Sequence, residues 1–180
     1  MTVFAISGHA QHGKDTVANA LKNKLLEDGH RVLVTHYADL LKYICRMYFG
    51  WNGEKDENGR HILQYVGTDV VREMRPDFWV DFVISMLEMF GENWDYVIIP
   101  DSRFPNEIDR LKDHGFDVQH IRVVRPGFEN NLTPEQRTHP SETALDDVQP
   151  DNTIFNSGTI DDLDIQIATY TKEHIYGKHH

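Results

Sequence analysis

The chain has 180 residues, 39% of them hydrophobic and 11% aromatic, with a formal net charge of −11 at pH 7. That length builds one compact α/β domain rather than two, and the acidic balance excludes the broad basic surface that holds a nucleic-acid polymer. No run approaches the ~18 uninterrupted apolar residues of a membrane span, and no basic-then-apolar leader opens the sequence, so a cytoplasmic protein without membrane contact is expected.

Thr2-Val3-Phe4-Ala5-Ile6 reads as a short buried strand. It runs into Gly8-His9-Ala10-Gln11-His12-Gly13-Lys14-Asp15-Thr16, which has the Gly, four residues, Gly-Lys spacing of a phosphate-binding loop. Its glycines permit φ > 0, so successive N–H groups converge on an anion while the following helix directs its N-terminal dipole there. That helix is predicted by Val17, Leu21 and Leu25, which recur at helical spacing up to a Gly29 stop. Strand, loop and helix in this order assign Gly8, His12, Gly13, Lys14, Asp15 and Thr16 to the ATP phosphates, with Lys14 reaching the β/γ groups. His9 and His12 are read as partly exposed, because the loop works through its backbone. Asp15 departs from the usual pattern: it stands where a Ser or Thr hydroxyl ordinarily binds Mg²⁺. A carboxylate there holds the ion directly or through water, and Thr16 keeps a hydroxyl one residue on.

Arg31–His36 predicts a second strand that ends at Tyr37-Ala38-Asp39, and a helix follows with Leu40, Leu41, Ile44, Cys45, Tyr48 and Phe49 on adjoining faces. Cys45 is the sole cysteine, so no internal disulfide can form, and its apolar setting makes it a core residue. Trp51 to Arg60 is polar and reads as a loop. Residues 61–74 look helical but carry Gly67-Thr68-Asp69 in the middle, which predicts a bend or a close approach. From Phe78 to Phe90 the apolar set, Trp79 included, fits one helical face and reads as core.

Tyr96–Asp101 is an apolar strand closing on a carboxylate, followed by Ser102-Arg103 and a helix from Pro105 to about His114. Val118–Val124 is a further strand, ended by Arg125-Pro126-Gly127. Residues 126–152 are polar and proline-rich, with a capping box at Thr133-Pro134-Glu135-Gln136, and form a lid candidate. Ile154-Phe155 reads as an edge strand, Thr159 caps a last helix from about Asp161 to Tyr176, and Lys178-His179-His180 reads as a disordered tail. Strands alternating with short helices predict a three-layer α/β fold: a mostly parallel five-stranded sheet, helices on both faces, and ligands at the carboxyl ends of the strands. Asp39, Asp101, Arg103 and Arg125 all follow strand ends.

The residue types at those ends point to phosphoryl chemistry. Asp101 suits Mg²⁺ held through water, with a helix cap ahead of Pro105 as the alternative. Arg103 and Arg72 suit an acceptor phosphate, since a guanidinium binds two of its oxygens at once; the alternative is surface salt bridges in a chain with 29 acidic residues.

Seven blocks in order carry a resemblance. They are Gly13-Lys14-Asp15-Thr16, Tyr37-Ala38-Asp39-Leu40-Leu41-Lys42, Leu63-Gln64-Tyr65-Val66-Gly67-Thr68-Asp69, Phe78-Trp79-Val80, Ile99-Pro100-Asp101-Ser102-Arg103, Val123-Val124-Arg125-Pro126-Gly127 and Thr138-His139-Pro140-Ser141-Glu142. In type and order they resemble the phage deoxynucleoside monophosphate kinases over nearly the whole chain. The resemblance implies a single P-loop kinase domain over 1–180, with an acceptor-binding helical region at about 39–91 and the lid at about 126–152. It implies transfer of the ATP γ-phosphoryl group to a deoxynucleoside monophosphate, with Mg²⁺ as cofactor. It places Asp39, Lys42, Gly67, Thr68, Asp69, Arg72, Trp79, Arg103 and Glu142 around the acceptor, Arg125 near the adenine, and His139 and Ser141 in the lid over the phosphates. Lys14, Arg103, Asp101 and Arg72 are the expected catalytic set, and Asp15 and Asp101 the metal ligands. The chain is shorter than the phage pattern between Phe49 and His61, so base selectivity is not carried across. Other readings stay open: a P-loop kinase of a hydroxyl acceptor, resembling dephospho-coenzyme A or phosphomevalonate kinase, with Asp39 as base; or a nucleotide-binding module without turnover. A homodimer is an expectation to which no surface is assigned.

Overall fold

The computed structural model describes residues 1–177, so the predicted tail at 178–180 lies outside the described residues. Strand β1 (Thr2–Ser7) forms the centre of the sheet. Val3, Phe4, Ala5 and Ile6 are all fully buried, as a strand covered on both faces requires. The chain then runs through α1 (Lys14–Glu27), β2 (Val32–Val34), α2 (Ala38–Tyr48), α3 (Glu57–Gln64), a π-helical stretch at Tyr65–Arg72, α4 (Phe78–Phe90), β3 (Tyr96–Ile99), α5 (Pro105–Asp113) and β4 (Asp117–Val124). Two short lid helices follow, α6 (Pro134–Arg137) and α7 (Pro140–Thr143), then β5 (Asn152–Phe155) and α8 (Ile160–Thr171), which continues as a π-turn at Lys172–Tyr176.

The strands lie in the order β2-β3-β1-β4-β5, and every neighbouring pair is parallel. Side chains alternate between two cores, because successive residues of a strand point to opposite faces. Val3, Ala5, Val97 and Ile99 pack with Trp79, Val80, Val83 and Leu87 of α4 and with Ile108 and Leu111 of α5. Phe4, Ile6 and Ile98 pack with Val17, Leu21 and Leu25 of α1 and with Leu163, Ile167 and Tyr170 of α8. The predicted three-layer α/β architecture is therefore the observed one.

The differences are local. The predicted strand at 31–36 is a regular strand only over Val32–Val34: Thr35 still donates its N–H to the Ile98 carbonyl at 3.1 Å, whereas the His36 N–H turns to the Asp39 carboxylate of α2 at 3.2 Å. The predicted loop at 51–60 is a loop only in its first half. Asp56 accepts the Gly59 N–H at 2.7 Å and starts α3 at Glu57, a cap worth about 1 kcal/mol that overrides the poor propensity of Asn58 and Gly59. Trp51 anchors the rest: it is buried against Cys45 and Val66, and its indole N–H donates to the Glu54 carbonyl at 2.7 Å.

Gly67-Thr68-Asp69 sits inside the π-helical stretch, where the expected close approach is observed. A Cβ on Gly67 would lie 2.6 Å from Leu41 Cδ2. The Gly67 carbonyl accepts the buried Trp79 indole N–H at 2.9 Å. A π-helical widening frees carbonyls from the ordinary ladder, and Trp79 takes one of them, which ties α4 to the helical region beside the sheet.

Candidate active site

The phosphate loop connects the carboxyl end of β1 to the first turn of α1. Gly13 is in the left-handed region with φ +90, and its carbonyl accepts the first helical bond of α1, from Val17, at 3.0 Å. Gln11, with φ 64, is the one non-glycine residue at positive φ among those described. It lies within the loop, where such backbone strain commonly marks function. Lys14 folds back over the loop and donates to the Gly8 carbonyl at 2.7 Å and the His9 carbonyl at 3.0 Å. Burial, reinforced by the neighbouring Arg103 charge, lowers the Lys14 pKa to about 8.

Above the loop the lid supplies a carboxylate. One oxygen of Glu142 accepts the Ala10 N–H at 3.0 Å and the other pairs with Arg103. Burial acts to raise the Glu142 carboxyl, but Arg103 and the Ala10 amide outweigh it and hold the pKa below its ordinary value. Arg103 also donates to the Ser141 carbonyl at 2.7 Å, so one guanidinium joins the end of β3 to α7. Arg122 secures the lid from below by donating to the carbonyls of Leu145, Asp146 and Val148. His139 hydrogen-bonds the Ser141 hydroxyl at 2.8 Å and caps α7, a structural use of the ring.

Asp101 sits at the carboxyl end of β3, and its two oxygens accept the N–H groups of Tyr37 and Ala38, each at 3.0 Å. It caps α2, not the α5 helix that its place before Pro105 suggests. The first turn of α5 is held instead by Glu107, which accepts from the Arg103 N–H at 2.6 Å and the Phe104 N–H at 3.1 Å.

Arg72 is committed to the scaffold. Its guanidinium pairs with the buried Glu107 carboxylate at 2.6 Å, reaches Asn106 and the Pro76 carbonyl at 3.2 Å each, and lies 3.8 Å from the centre of the Phe104 ring. Its Nε is buried without a partner among the described residues. Burial raises the Glu107 carboxyl against the opposing pull of Arg72. Such a pair is costly to break from one side, since the remaining charge stays buried.

A cavity of about 420 Å³ opens between the phosphate loop and the helical region. It brings together Lys14, Asp15, Lys42, Gly67, Thr68, Arg72, Trp79, Asp101, Arg103 and Glu142 from the predicted set. Gly8 and His12 line a second, smaller space of about 320 Å³ with Ser7, Ser102 and Arg122, on the far side of Arg103 and Glu142. Gly13 and Thr16 stay within the loop and the first turn of α1.

Asp39, Asp69 and Arg125 line neither space. Asp39 is engaged with Lys42 at 3.2 Å and His36 at 3.4 Å. Asp69 turns towards the lid, 3.5 Å from His139. Arg125 lies with its guanidinium 4.2 Å from the Phe128 ring centre, and its N–H donates to His12 Nδ1 at 3.3 Å.

For a divalent cation the carboxylate chemistry is uneven. Asp15 presents a largely exposed carboxylate beside the loop, and its contact with His36 at 3.5 Å lowers its pKa. Asp101 has an amide on each oxygen and keeps one lone-pair direction on each for water. Among the described residues no group of three or more His, Cys, Asp and Glu side chains is gathered as a metal cluster. Oxygen ligands few in number, with the remaining sites left to water and phosphate, fit Mg²⁺ rather than a metal held wholly by protein.

A family model described as deoxynucleotide monophosphate kinase matches residues 38–167. This chain belongs to the deoxynucleotide monophosphate kinase family. Among curated relatives, it is 33% identical over 123 residues to the deoxynucleotide monophosphate kinase of Enterobacteria phage T4, covering 67% of this chain and 48% of that protein. It is 28% identical over 196 residues to a putative deoxynucleotide monophosphate kinase of Acanthamoeba polyphaga mimivirus, covering 94% of this chain and 95% of the other. The chain thus spans about half the length of the phage relative and nearly all of the viral one. Solved structures of similar fold include the Mycobacterium tuberculosis APS kinase CysC Cys556Ala mutant, with TM-score 0.52, 14% identity and 95% and 96% of the two chains covered. Shikimate kinase from Aquifex aeolicus has TM-score 0.52 and 13% identity, with 98% and 99% covered. These establish the P-loop kinase fold.

The phosphate loop at 8–16 precedes the range of the family model, so in this family member the loop is placed by its geometry. Sequence reasoning missed Glu107, although an acid in register with buried Ile108 and Leu111 on the inner face of α5 is a legible signal. It also missed Asn156, one residue past the carboxyl end of β5.

Proposed function

We propose that this chain transfers the γ-phosphoryl group of ATP to the phosphate of a deoxynucleoside monophosphate, giving the diphosphate and ADP. The observation that carries the reading is the cavity of about 420 Å³ in which Lys14 of the phosphate loop and Arg103 face one space with the helical acceptor region. Phosphoryl transfer needs alignment and charge neutralisation rather than covalent participation by the protein, and those two cations supply it.

In the working complex the Lys14 ammonium leaves the Gly8 and His9 carbonyls for the β/γ-phosphates, while the loop amides take the phosphate oxygens. Arg103 leaves Glu142 to hold the acceptor phosphate. An oxygen of that phosphate forms the new bond to the γ-phosphorus as the bond from phosphorus to the β–γ bridging oxygen breaks, and ADP carries away the electron pair. The acceptor is already an oxyanion near neutral pH, so no general base is required. Asp39, the base a hydroxyl acceptor would call on, lies outside the cavity and is engaged by Lys42 and His36, which favours the phosphate acceptor. Asp15 and Asp101 would hold Mg²⁺, which would neutralise phosphate charge there. Arg72 supports the site by holding Phe104 and Glu107 beside it.

The test is a panel: the protein with ATP, Mg²⁺ and each deoxynucleoside monophosphate in turn, with product diphosphate measured. Diphosphate from at least one acceptor, lost by several orders of magnitude in Lys14→Ala with the fold intact, is expected. Absence of diphosphate from every acceptor, or near-wild-type turnover in Lys14→Ala, would overturn the assignment.

A further inference from the structure

Asn156 emerges from the carboxyl end of β5 and lies directly against the phosphate loop. Its backbone N–H donates to the Val124 carbonyl at 2.8 Å, which continues the β4–β5 pairing and fixes where its side chain starts. The side-chain amide then donates to the His12 carbonyl at 3.0 Å. The same nitrogen occupies the space that a Cβ on Gly13 would need, so Asn156 and Gly13 are mutually fitted.

Direction matters at this contact. A trans peptide is planar, with its C=O and N–H pointing to opposite sides. Holding the His12 oxygen towards β5 therefore aims the Gly13 N–H to the other side. Gly13 is in the left-handed region with φ +90 and has no Cβ, so the peptide before it can rotate at small steric penalty. A glycine-rich loop needs a restraint of this kind, because the conformational freedom that shapes the anion cradle also allows it to collapse. His12 receives a second tether, from the Arg125 N–H to its Nδ1 at 3.3 Å; that one holds the ring and leaves the peptide free to turn.

We propose that Asn156 is a positioning residue for the donor nucleotide: its side-chain amide fixes the sense of the His12–Gly13 peptide and so keeps the loop amides preorganised for the ATP phosphates. The inference rests on the reading of residues 8–16 as the ATP phosphate site. It concerns a residue that touches the loop and not the reacting atoms.

Two variants separate the donor role from simple space filling. Asn156→Asp keeps the shape but replaces the N–H donor with an acceptor facing a carbonyl, and Asn156→Ala removes both shape and donor. The measurements are calorimetric titration with ATP alone, the KM for ATP and for the monophosphate, and the melting temperature without ligand. Both variants are expected to weaken ATP binding and raise the ATP KM about five- to tenfold, the size of one hydrogen bond. The monophosphate KM should stay within twofold of wild type, and Asp should be no better than Ala. Wild-type ATP affinity in Asn156→Asp would overturn the proposal, as would equal loss for both substrates accompanied by a large fall in melting temperature. If Ala does not fold, the isosteric Asp variant decides alone. The titration with ATP is independent of turnover. A wild-type protein that binds ATP but makes no diphosphate would count against the kinase reading, while the variants would still test Asn156.

Discussion

Lys14 offers the sharpest test, because its pKa of about 8 in the free protein makes ATP binding proton-linked in an accessible range. Burial and Arg103 disfavour its charged form, while Glu142, Asp15 and Asp101 work in the opposite direction. A polyphosphate against the ammonium favours the charged form by about one to three units. Binding therefore draws a proton onto Lys14. With a free-state pKa of about 8, roughly nine-tenths of the protein is charged at Lys14 at pH 7 and about one-tenth at pH 9. The dissociation constant for ATP should rise about tenfold across that interval, since phosphate groups complete their own ionisation near pH 6. Calorimetry at pH 8.5 in two buffers of different ionisation enthalpy should register uptake of more than half a proton per ATP. Lys14→Arg keeps its charge across the range and should flatten both the pH slope and the uptake, whatever its turnover. Zero uptake in the wild type, or an unchanged slope in Lys14→Arg, would refute the reasoning. The unliganded stability runs the other way. The unfolded lysine titrates near 10.4 and the folded one near 8, so the burden of the buried charge is full below pH 8 and is relieved as pH rises through that window.

Three further outcomes follow from the same geometry. Glu142→Gln releases the Ala10 amide and Arg103 from a carboxylate that competes with phosphate, so ADP should bind at least threefold more tightly; unchanged or weaker binding would remove Glu142 from that role. Gly67→Ala places a Cβ at 2.6 Å from Leu41 Cδ2 and should cost about 1–3 kcal/mol, read as a fall in melting temperature. Leu41→Ala should recover part of that loss in the double variant, and strict additivity would argue that the two side chains do not meet. His120 is buried, hydrogen-bonds the Ser7 hydroxyl at 2.7 Å, and has its pKa lowered to about 4 by burial and Arg122. The unfolded histidine titrates near 6.5, so stability is full above pH 6.5 and falls as the pH drops towards 4, by at most about 1.4 kcal/mol per unit. His120→Asn should remove that slope from chemical-denaturation curves, and an unaltered slope would assign it to other groups.

The elements most legible in the sequence are those whose signal is local. Phe4 and Ile98 belong to apolar runs that no half-exposed strand would carry, so the parallel sheet could be read directly. Gly8, Gly13 and Lys14 have a spacing that backbone geometry alone explains. The first turn of α3 reads as loop because its start depends on one Asp56 side chain reaching Gly59, and β2 ends short of the predicted His36 because the His36 N–H is drawn to Asp39 of α2. Glu107 escaped notice because acids at a helix start usually face water.

The sequence by itself determined the order of strands and helices, the phosphate loop and the cations available to it, since each depends on neighbours a few residues away. Pairings across the chain were decided by tertiary structure alone. Asp101 looks like a cap for the helix just after it, yet it caps α2 through the Tyr37 N–H, 64 residues back along the chain. Arg103 is met by Glu142, 39 residues further on, and the His12 carbonyl by Asn156, 144 residues further on. A side chain's partner depends on which strand ends the sheet brings together, and a parallel sheet with crossover helices gathers at one edge residues that the chain keeps far apart.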